Sequence, residues 1–276
     1  MEAMDRSMNL PKQASDSLST VWLPIISSFG TEGILTGSEH RSRPNQPLLW
    51  FVHGFQSERS GSKAKALLKK AMHLGWSFAS FDFRGHGGSS PTHSVAPLGR
   101  LCHTSLMEDM DVIASHLDSW HTGRRVLVGS SMGGYASAWY AALHPLRVHG
   151  LALAAPAWRF GNTLQERLEQ SRPGSTKEWQ TKRWIAYPSI TGDTLVSWQM
   201  VEEAKAHPHT LLARRIGCPV RILHAIDDDV IPCAESVEML GLLSIDAQLL
   251  LTRIGGHRLL EHVETLAQLA AQLAEF

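Results

Sequence analysis

The stretch RRVLVGSSMGGYAS, from Arg124 to Ser137, sets two adjacent serines between a short aliphatic run and a pair of glycines. The aliphatic run is typical of a buried strand, and the small residues after the glycines favour a helix. Gly129, Ser131 and Gly133 fit the pattern G-x-S-x-G, a tight strand-to-helix turn that holds a serine beyond the end of the strand. Ser130 fails the same test because larger side chains flank it. The pattern therefore predicts Ser131 as a nucleophile, with an ordinary glycine-rich turn as the alternative.

The composition is that of a globular chain without a strong charge. The 276 residues are 43% hydrophobic and 19% charged, and 26 basic side chains balance 26 acidic ones. This balance gives no general attraction to nucleic acid or to an anionic membrane, and no apolar run approaches the roughly 18 residues of a membrane span. We therefore expect no nucleic-acid partner and no membrane span.

Three further features of the sequence bear on the redox environment, the bounds of the folded domain and metal binding. Cys102, Cys218 and Cys233 are odd in number and match no metal-ligand spacing, which favours a reduced, cytoplasmic environment over a disulfide framework. Residues 1–20 lack the apolar core of a signal peptide and predict a flexible arm, with residues 21–276 as the folded domain. The 15 histidines form no H-E-x-x-H pattern and no cysteine–histidine cluster, so the sequence predicts no metal site.

Strand-like and helix-like segments alternate along most of the chain. Runs of aliphatic and aromatic residues predict buried strands, and the amphipathic runs between them predict helices. This alternation is typical of an α/β fold with a mostly parallel central sheet and helices on both faces. Two earlier segments, STVWLPIIS and TEGILTG, predict an antiparallel pair that begins the sheet. The buried strands are predicted at Pro47–Gly54, Ser77–Phe83, Arg125–Val128, Gly150–Ala157, Pro219–Ile226 and Ala247–Ile254.

The alternation breaks once, between Trp158 and Arg215. This segment carries mixed-charge helical stretches, three prolines and four of the nine tryptophans, and it shows no strand signal. An insertion of this length in an α/β domain is more often functional than a plain connection. Residues 158–215 are therefore predicted to form a helical lid, with Trp158 and Trp184 as apolar substrate-binding residues. The alternative is that the tryptophan rings only attach the lid to the sheet.

Two predicted strands end in segments that suit catalysis. In a parallel sheet, functional side chains come from the loops beyond the carboxyl ends of the strands. One strand ends in HAIDDDVIP and the next in GGHRL, so three consecutive aspartates and His257 are expected at the same edge as Ser131. A serine hydroxyl is a weak nucleophile and needs a histidine base that a carboxylate orients. The spacing leaves open which of Asp227, Asp228 and Asp229 is the acid.

A strand that ends in His53-Gly54-Phe55 suits the stabilisation of an oxyanion. A tetrahedral intermediate needs two main-chain N–H groups that converge on its oxygen. Met132, the residue after the predicted nucleophile, is expected to supply one N–H group, and Phe55 is expected to supply the other. His53 itself is expected to serve the turn.

From about Trp50 to the end, the chain resembles an α/β-hydrolase of the single-domain serine type. The segments HGFQSERSGSKAKAL, FDFRGHGGSS, GSSMGG and RILHAIDDDVIP are similar to those of the acyl-protein thioesterase and acyl-glucuronide esterase branch and its bacterial relatives. In that family the acid lies four residues after the histidine of an H-G-x-x-D-x-x-V-P segment, and the match falls on Asp228. This chain has Ala225 for the glycine and Ile231 for the valine, and neither change removes a catalytic group.

The resemblance implies a serine hydrolase whose substrate is a small-molecule ester or thioester of an apolar acyl group, cleaved through a covalent acyl-enzyme. Ser131 would attack, His257 would carry the proton, Asp228 would orient His257, and no metal or organic cofactor would be needed. A serine peptidase or a cofactor-free perhydrolase could use the same residues. A hydrolase-fold protein that binds a ligand without turnover is a further alternative, although such proteins typically lack a triad member.

Overall fold

A sheet of eight strands forms the centre of the protein. The structure, a computed structural model, describes residues 18–26, 28, 32–89, 101–188 and 194–275. The strands are β1 (Ser19–Ile26), β2 (Glu32–His40), β3 (Leu48–Val52), β4 (Ser77–Phe81), β5 (Arg125–Ser130), β6 (Gly150–Ala154), β7 (Trp184–Tyr187), β8 (Thr194–Ser197), β9 (Val220–Ala225) and β10 (Ala247–Thr252). The sheet has the order β1-β2-β4-β3-β5-β6-β9-β10.

The pairing confirms the mostly parallel sheet that the sequence predicts. Strands β4, β3, β5, β6, β9 and β10 run parallel to one another. β1 pairs with β2 in antiparallel orientation, as predicted, and β2 pairs with β4 in the same way. Since β1 begins at Ser19, the last two residues of the predicted arm already belong to the sheet; residues 1–17 lie outside the described residues.

Helices cover both faces of this sheet. They are α1 (Ser62–Leu74), α2 (His103–Asp118), α3 (Met132–Leu143), α4 (Phe160–Ser171), α5 (Ser175–Lys182), α6 (Gln199–Ala206), α7 (His209–Ala213), α8 (Cys233–Leu242) and α9 (Val263–Glu275). None of the helices in the described part of the chain combines the length and apolar character needed to cross a bilayer.

Alternating side chains of the central strands reach two separate hydrophobic clusters. On β5, Val126 and Val128 pack with α1 and α9, whereas Leu127 packs on the opposite face with α2 and α3. Every residue of β3 and of β5 is buried, which is the environment of strands covered on both sides. The apolar runs of the sequence therefore become the middle of the sheet, and its carboxyl edge is held rigidly.

In the chain, segment 158–215 connects β6 to β9, which are neighbours in the sheet. The segment contains four helices, α4 to α7. It also contains a two-stranded antiparallel sheet of β7 and β8, which the sequence pattern did not predict. Each of these strands has only four residues, too few to show a clear alternation. The predicted helical insertion is thus corrected to helices with a β-hairpin.

Close approach of α3 to β5 and β3 depends on glycine. A Cβ atom on Gly129 would lie 2.5 Å from the carbonyl oxygen of Gly133. One on Gly133 would lie 2.5 Å from the carbonyl oxygen of His53 and would overlap that of Val52. Main-chain atoms cannot move aside as the end of a flexible side chain can, so these two positions exclude larger residues.

We expect Gly133→Ala to lower the free energy of unfolding by about 1–3 kcal/mol or more, because the added methyl group separates α3 from β3. Gly241→Ala is the matched control: Gly241 is exposed on α8, and a Cβ there meets no atom within 4 Å. This control should raise stability by about 0.5–1 kcal/mol through helix propensity. Urea unfolding measures both, and equal midpoints for the two variants would contradict the packing argument.

Candidate active site

Ser131, His257 and Asp228 meet at the carboxyl edge of the sheet. They follow β5, β10 and β9 respectively, whose carboxyl ends all lie at this edge. His257 Nε2 lies 2.9 Å from Ser131 Oγ, and His257 Nδ1 lies 2.9 Å from Asp228 Oδ2. The structure therefore brings together the three side chains that the sequence singles out, in a continuous hydrogen-bonded line.

The main chain at Ser131 is strained. Its φ of 54° and ψ of −119° fall in a region that residues with a Cβ rarely adopt. Hydrogen bonds hold it there: its N–H donates to the carbonyl of Ala154 (3.0 Å), and its carbonyl accepts from Gly134 (2.8 Å) and Ala157 (3.1 Å). Ser130, by contrast, is a regular strand residue that pairs with Ala154.

The Asp228 side chain is fully buried and accepts hydrogen bonds on both oxygens. Oδ1 accepts from the main-chain N–H groups of Val230 (2.8 Å) and Ile231 (2.9 Å). Oδ2 faces the ring nitrogens of His257 and of His224, the latter at 3.1 Å. Burial alone would raise the pKa of this carboxyl, but the hydrogen bonds from the two histidines and the main chain hold the pKa well below its usual range. Asp228 is therefore ionised at neutral pH.

The neighbouring aspartates differ from Asp228 in their contacts. Asp227 accepts hydrogen bonds from the N–H groups of Gly255 (3.3 Å) and Gly256 (2.8 Å), the two residues before His257. Asp229 takes part through its main-chain carbonyl, which accepts from Arg167 at 2.6 Å. Asp227 thus fixes the loop that carries His257, a role that three identical letters in a row do not reveal.

The loop after β3 lies directly beside Ser131. A Cβ atom on Gly54 would lie 3.2 Å from the Cβ and 3.8 Å from the Oγ of Ser131. Phe55 is the next residue, and Met132 on the other side begins α3, so its N–H has no acceptor within the helix. Both predicted oxyanion donors therefore belong to segments next to the serine, and their role stays a prediction.

His53 fixes this loop through hydrogen bonds of both ring nitrogens. Its Nε2 accepts from the N–H of Phe83 at 3.0 Å, so Nδ1 carries the hydrogen and donates to the carbonyl of Gly54 at 2.8 Å. Burial, opposed by the bond to Gly54, lowers the pKa of His53 to about 4. Burial beside His53 also lowers the pKa of His86 to about 3. Both imidazoles are therefore neutral at pH 7, in line with the turn-supporting role expected for His53.

The two tryptophans predicted to bind substrate lie in different environments. Trp158 is 1% exposed, and its indole N–H donates to Ser236 Oγ at 3.1 Å. Trp184 lies on β7 and is 39% exposed. Neither residue is shown in contact with Ser131, so substrate binding by both stays a prediction.

Aromatic contacts join segment 158–215 to the loop after β3. The ring of Phe55 lies 5.8 Å from that of Phe160 and 6.0 Å from that of Tyr187. Gln56 Nε2 donates to Thr194 Oγ1 at 3.2 Å, so the hairpin also contacts this loop. The insertion therefore packs beside the predicted oxyanion loop, and its action as a lid stays a prediction.

Fold and site together define the class of the protein as an α/β-hydrolase of the serine-hydrolase type. The family model described as serine aminopeptidase, S33, matches residues 43–265, and the chain belongs to that family.

Individual relatives agree with this assignment. Human palmitoyl-protein thioesterase ABHD10, mitochondrial, is 29% identical over 222 residues, which are 79% of this chain and 69% of that protein. The structure of α/β-hydrolase domain-containing protein 10 from mouse is similar with a TM-score of 0.74 at 25% identity, over 94% of this chain and 98% of the other. Est1E from Butyrivibrio proteoclasticus, with bound ferulic acid, shares the fold with a TM-score of 0.72 at 16% identity, over 91% and 96%. Because the human relative is mitochondrial by name, the cytoplasmic location stays a prediction.

The buried neutral histidines make stability depend on pH. The pKa values of His53 and His86 lie below the ordinary value of 6.5, so the unfolded chain binds more protons between about pH 4 and 6.5. The contribution of these two neutral histidines to the free energy of unfolding is fully present above about pH 6.5 and is lost as the pH falls. We expect a loss of roughly 1 kcal/mol per pH unit for each histidine between pH 6 and 5, measured by urea unfolding.

His86→Phe supplies the control for this pH dependence. Nε2 of His86 has no hydrogen-bond partner among the described residues, and Nδ1 lies 3.2 Å from the carbonyl oxygen of Arg84, so Phe keeps a ring at this place and removes that one contact. In this variant the free energy of unfolding should change less with pH between pH 6 and 5, by the roughly 1 kcal/mol per pH unit that one histidine contributes. A wild-type stability that does not change between pH 6 and 5 would contradict the assignment of neutral buried rings.

Proposed function

We propose that this protein hydrolyses carboxylic esters or thioesters of apolar acyl groups through a covalent acyl-enzyme on Ser131. The observation that carries the proposal is the hydrogen-bonded line from Ser131 through His257 to the ionised Asp228. The ester or thioester class rests on the relatives, among which is a palmitoyl-protein thioesterase. The hydrolase class itself is given by the family.

The geometry supports a defined path for the proton. An ionised Asp228 accepts a hydrogen bond from His257, so Nδ1 of the imidazole carries the hydrogen and the lone pair of Nε2 faces Ser131 Oγ. His257 takes the hydroxyl proton as Oγ forms its bond to the acyl carbon, and the imidazolium then gives the proton to the departing alcohol or thiol. Water repeats both steps on the acyl-enzyme and releases the acid. No step calls for a metal or an organic cofactor.

Two main-chain N–H groups would hold the oxyanion of each tetrahedral intermediate. We assign them to Phe55 and Met132, because the loop of the first lies against Ser131 and the second is the free first amide of α3. The bond between His53 and Gly54 keeps this loop in place. A donor fixed before the reaction needs no reorganisation as charge develops, which is how such amides lower the barrier.

The aromatic residues of segment 158–215 favour an apolar acyl group. Phe160 and Tyr187 pack around Phe55 next to the proposed oxyanion site, and Trp184 adds an exposed ring on the hairpin. In this proposal the segment acts as a lid whose rings take up the substrate chain. Trp158 would contribute through its buried ring, since it follows Ala157, whose N–H donates to the carbonyl of Ser131.

A serine peptidase is the second candidate, and the description of the family favours it. An aminopeptidase must bind the free ammonium group of its substrate, for which a carboxylate with free oxygens is suited. The two acids that hold His257 and its loop are already engaged: both oxygens of Asp228 are occupied, and both oxygens of Asp227 accept main-chain N–H groups. This occupation favours the esterase or thioesterase, while a perhydrolase remains chemically equivalent at the triad.

A pair of serine variants tests the nucleophile. Ser131→Ala should abolish labelling by a fluorophosphonate and should lower turnover of p-nitrophenyl butyrate by about 10⁴-fold or more. Ser130→Ala should keep most of both, because it changes the neighbouring strand residue only. An exchange of the two results would move the nucleophile to Ser130, and an unlabelled, folded wild-type protein would point to the non-catalytic alternative.

A chain-length series tests the acyl preference. Efficiency on p-nitrophenyl esters and thioesters should rise from acetyl to medium-length chains, by up to about fourfold per methylene where it is fully buried. Trp184→Ala should flatten the rise, whereas Trp22→Ala, which removes a 65% exposed ring from β1, should leave it unchanged. Faster cleavage of aminoacyl anilides than of esters would favour the peptidase.

A further inference from the structure

A second histidine, His224, lies behind the proposed triad. It is the fifth residue of β9 and is 0% exposed. Its Nε2 lies 3.1 Å from Asp228 Oδ2 and 3.0 Å from the carbonyl oxygen of Ile231, and its Nδ1 lies 2.8 Å from Ser236 Oγ. Both nitrogens of this imidazole are thus engaged, and one of them shares an oxygen of Asp228 with His257.

The partners define which nitrogen carries the hydrogen. Both neighbours of Nε2 are oxygen acceptors, an ionised carboxylate and a carbonyl, so Nε2 must be a donor. At the other nitrogen, Ser236 Oγ accepts from the indole N–H of Trp158, which is a donor only. The hydroxyl hydrogen of Ser236 is then free to point at Nδ1, which accepts it. The whole chain is satisfied when His224 is neutral with its hydrogen on Nε2.

We propose that His224 is a positioning residue that fixes the Asp228 carboxylate for the reaction. This inference rests on the proposed function of the triad. His224 acts on the acid and not on the substrate, and Ser236 with Trp158 selects the tautomer in which it can donate.

The position of His224 explains why one carboxylate needs two histidines. The N–H groups of Val230 and Ile231 hold only Oδ1, and Oδ2 is the oxygen that orients His257. Without a second donor, Oδ2 would be fixed by the imidazole that it is meant to orient. His224 supplies a donor from the rigid interior of the sheet, and its bond to the carbonyl of Ile231 closes the loop that carries Asp228.

The same contacts link the acid to the start of segment 158–215. Trp158 lies four residues after the end of β6, Ser236 lies on α8 and His224 lies on β9. The hydrogen bonds from Trp158 to Asp228 therefore join three separate parts of the fold. If His224 only filled space in the core, any buried side chain of similar volume could replace it. The positioning role needs a hydrogen on one particular nitrogen, and this difference can be measured.

Two amide variants separate the alternatives. The amide nitrogen of Gln reaches the place of Nε2 and can still donate to Asp228, whereas that of Asn reaches only the place of Nδ1. We expect His224→Asn to lower kcat by about 10- to 100-fold with KM unchanged, because a hydrogen bond to a charged group is lost. His224→Gln should restore most of kcat. Equal kcat for the two variants, whether high or low, would overturn the proposal.

A second measurement uses the wild-type protein and does not depend on turnover. Nitrogen NMR of the labelled imidazoles, with His224 assigned by through-bond correlation of its ring to its main chain in the wild-type protein, should show a neutral ring with its hydrogen on Nε2 at pH 7. A hydrogen on Nδ1, or a doubly protonated ring, would overturn the proposal even if the variants failed to fold. A wild-type protein with the expected tautomer but without ester or thioester hydrolysis would instead refute the proposed function.

Discussion

At Ser131 the chain leaves a buried strand and enters a helix within a single residue, in a conformation that an L-residue adopts only under constraint. Strain of this kind is of the order of 1–3 kcal/mol and persists only where the surroundings determine the backbone. The surroundings here are the carbonyls of β3, which lie against Gly133, and the hydrogen bonds that Ser131 makes with Ala154 and Ala157. A less tightly packed sheet would let the turn relax and would withdraw the hydroxyl from His257.

The buried ionisable side chains on the two sides of this turn differ in charge: the histidines on one side are neutral, and the aspartate on the other is ionised. Beside the proposed oxyanion loop, His53 and His86 are buried and have no anionic partner within hydrogen-bond distance among the described residues, so burial lowers the pKa of each and keeps both rings neutral. On the other side, Asp228 is equally buried but accepts four N–H hydrogen bonds, which keep it ionised. In the proposed mechanism, the neutral histidines support the loop beside the oxyanion, and the negative charge of Asp228 would stabilise the imidazolium that forms on His257.

Much of this could be predicted from the sequence, because strand ends and glycine spacing are local features. Ser131 and His257 follow from such patterns, whereas the three consecutive aspartates are equivalent until their hydrogen bonds are known; the family resemblance, not the spacing, selected Asp228. The hairpin of β7 and β8 escaped prediction because each strand is short and is stabilised by its partner rather than by its own pattern. The role of His224 escaped prediction because the family motif uses this histidine only to locate Asp228, and the contact between the two side chains appears only in the folded chain.

The insertion connects the apolar and the electrostatic requirements of the site. It begins at Trp158, whose N–H group starts the hydrogen bonds that end at Asp228, and a few residues later it places Phe160 against Phe55. Exclusion of water by these rings lowers the effective dielectric constant beside Phe55 and would strengthen the hydrogen bonds of the proposed oxyanion site. An apolar acyl chain lying among these rings would complete that exclusion, whereas a short acetyl group would leave water beside the oxyanion. A preference for longer chains can therefore appear in kcat as well as in KM, because the substrate itself helps to dry the site in which the charge develops.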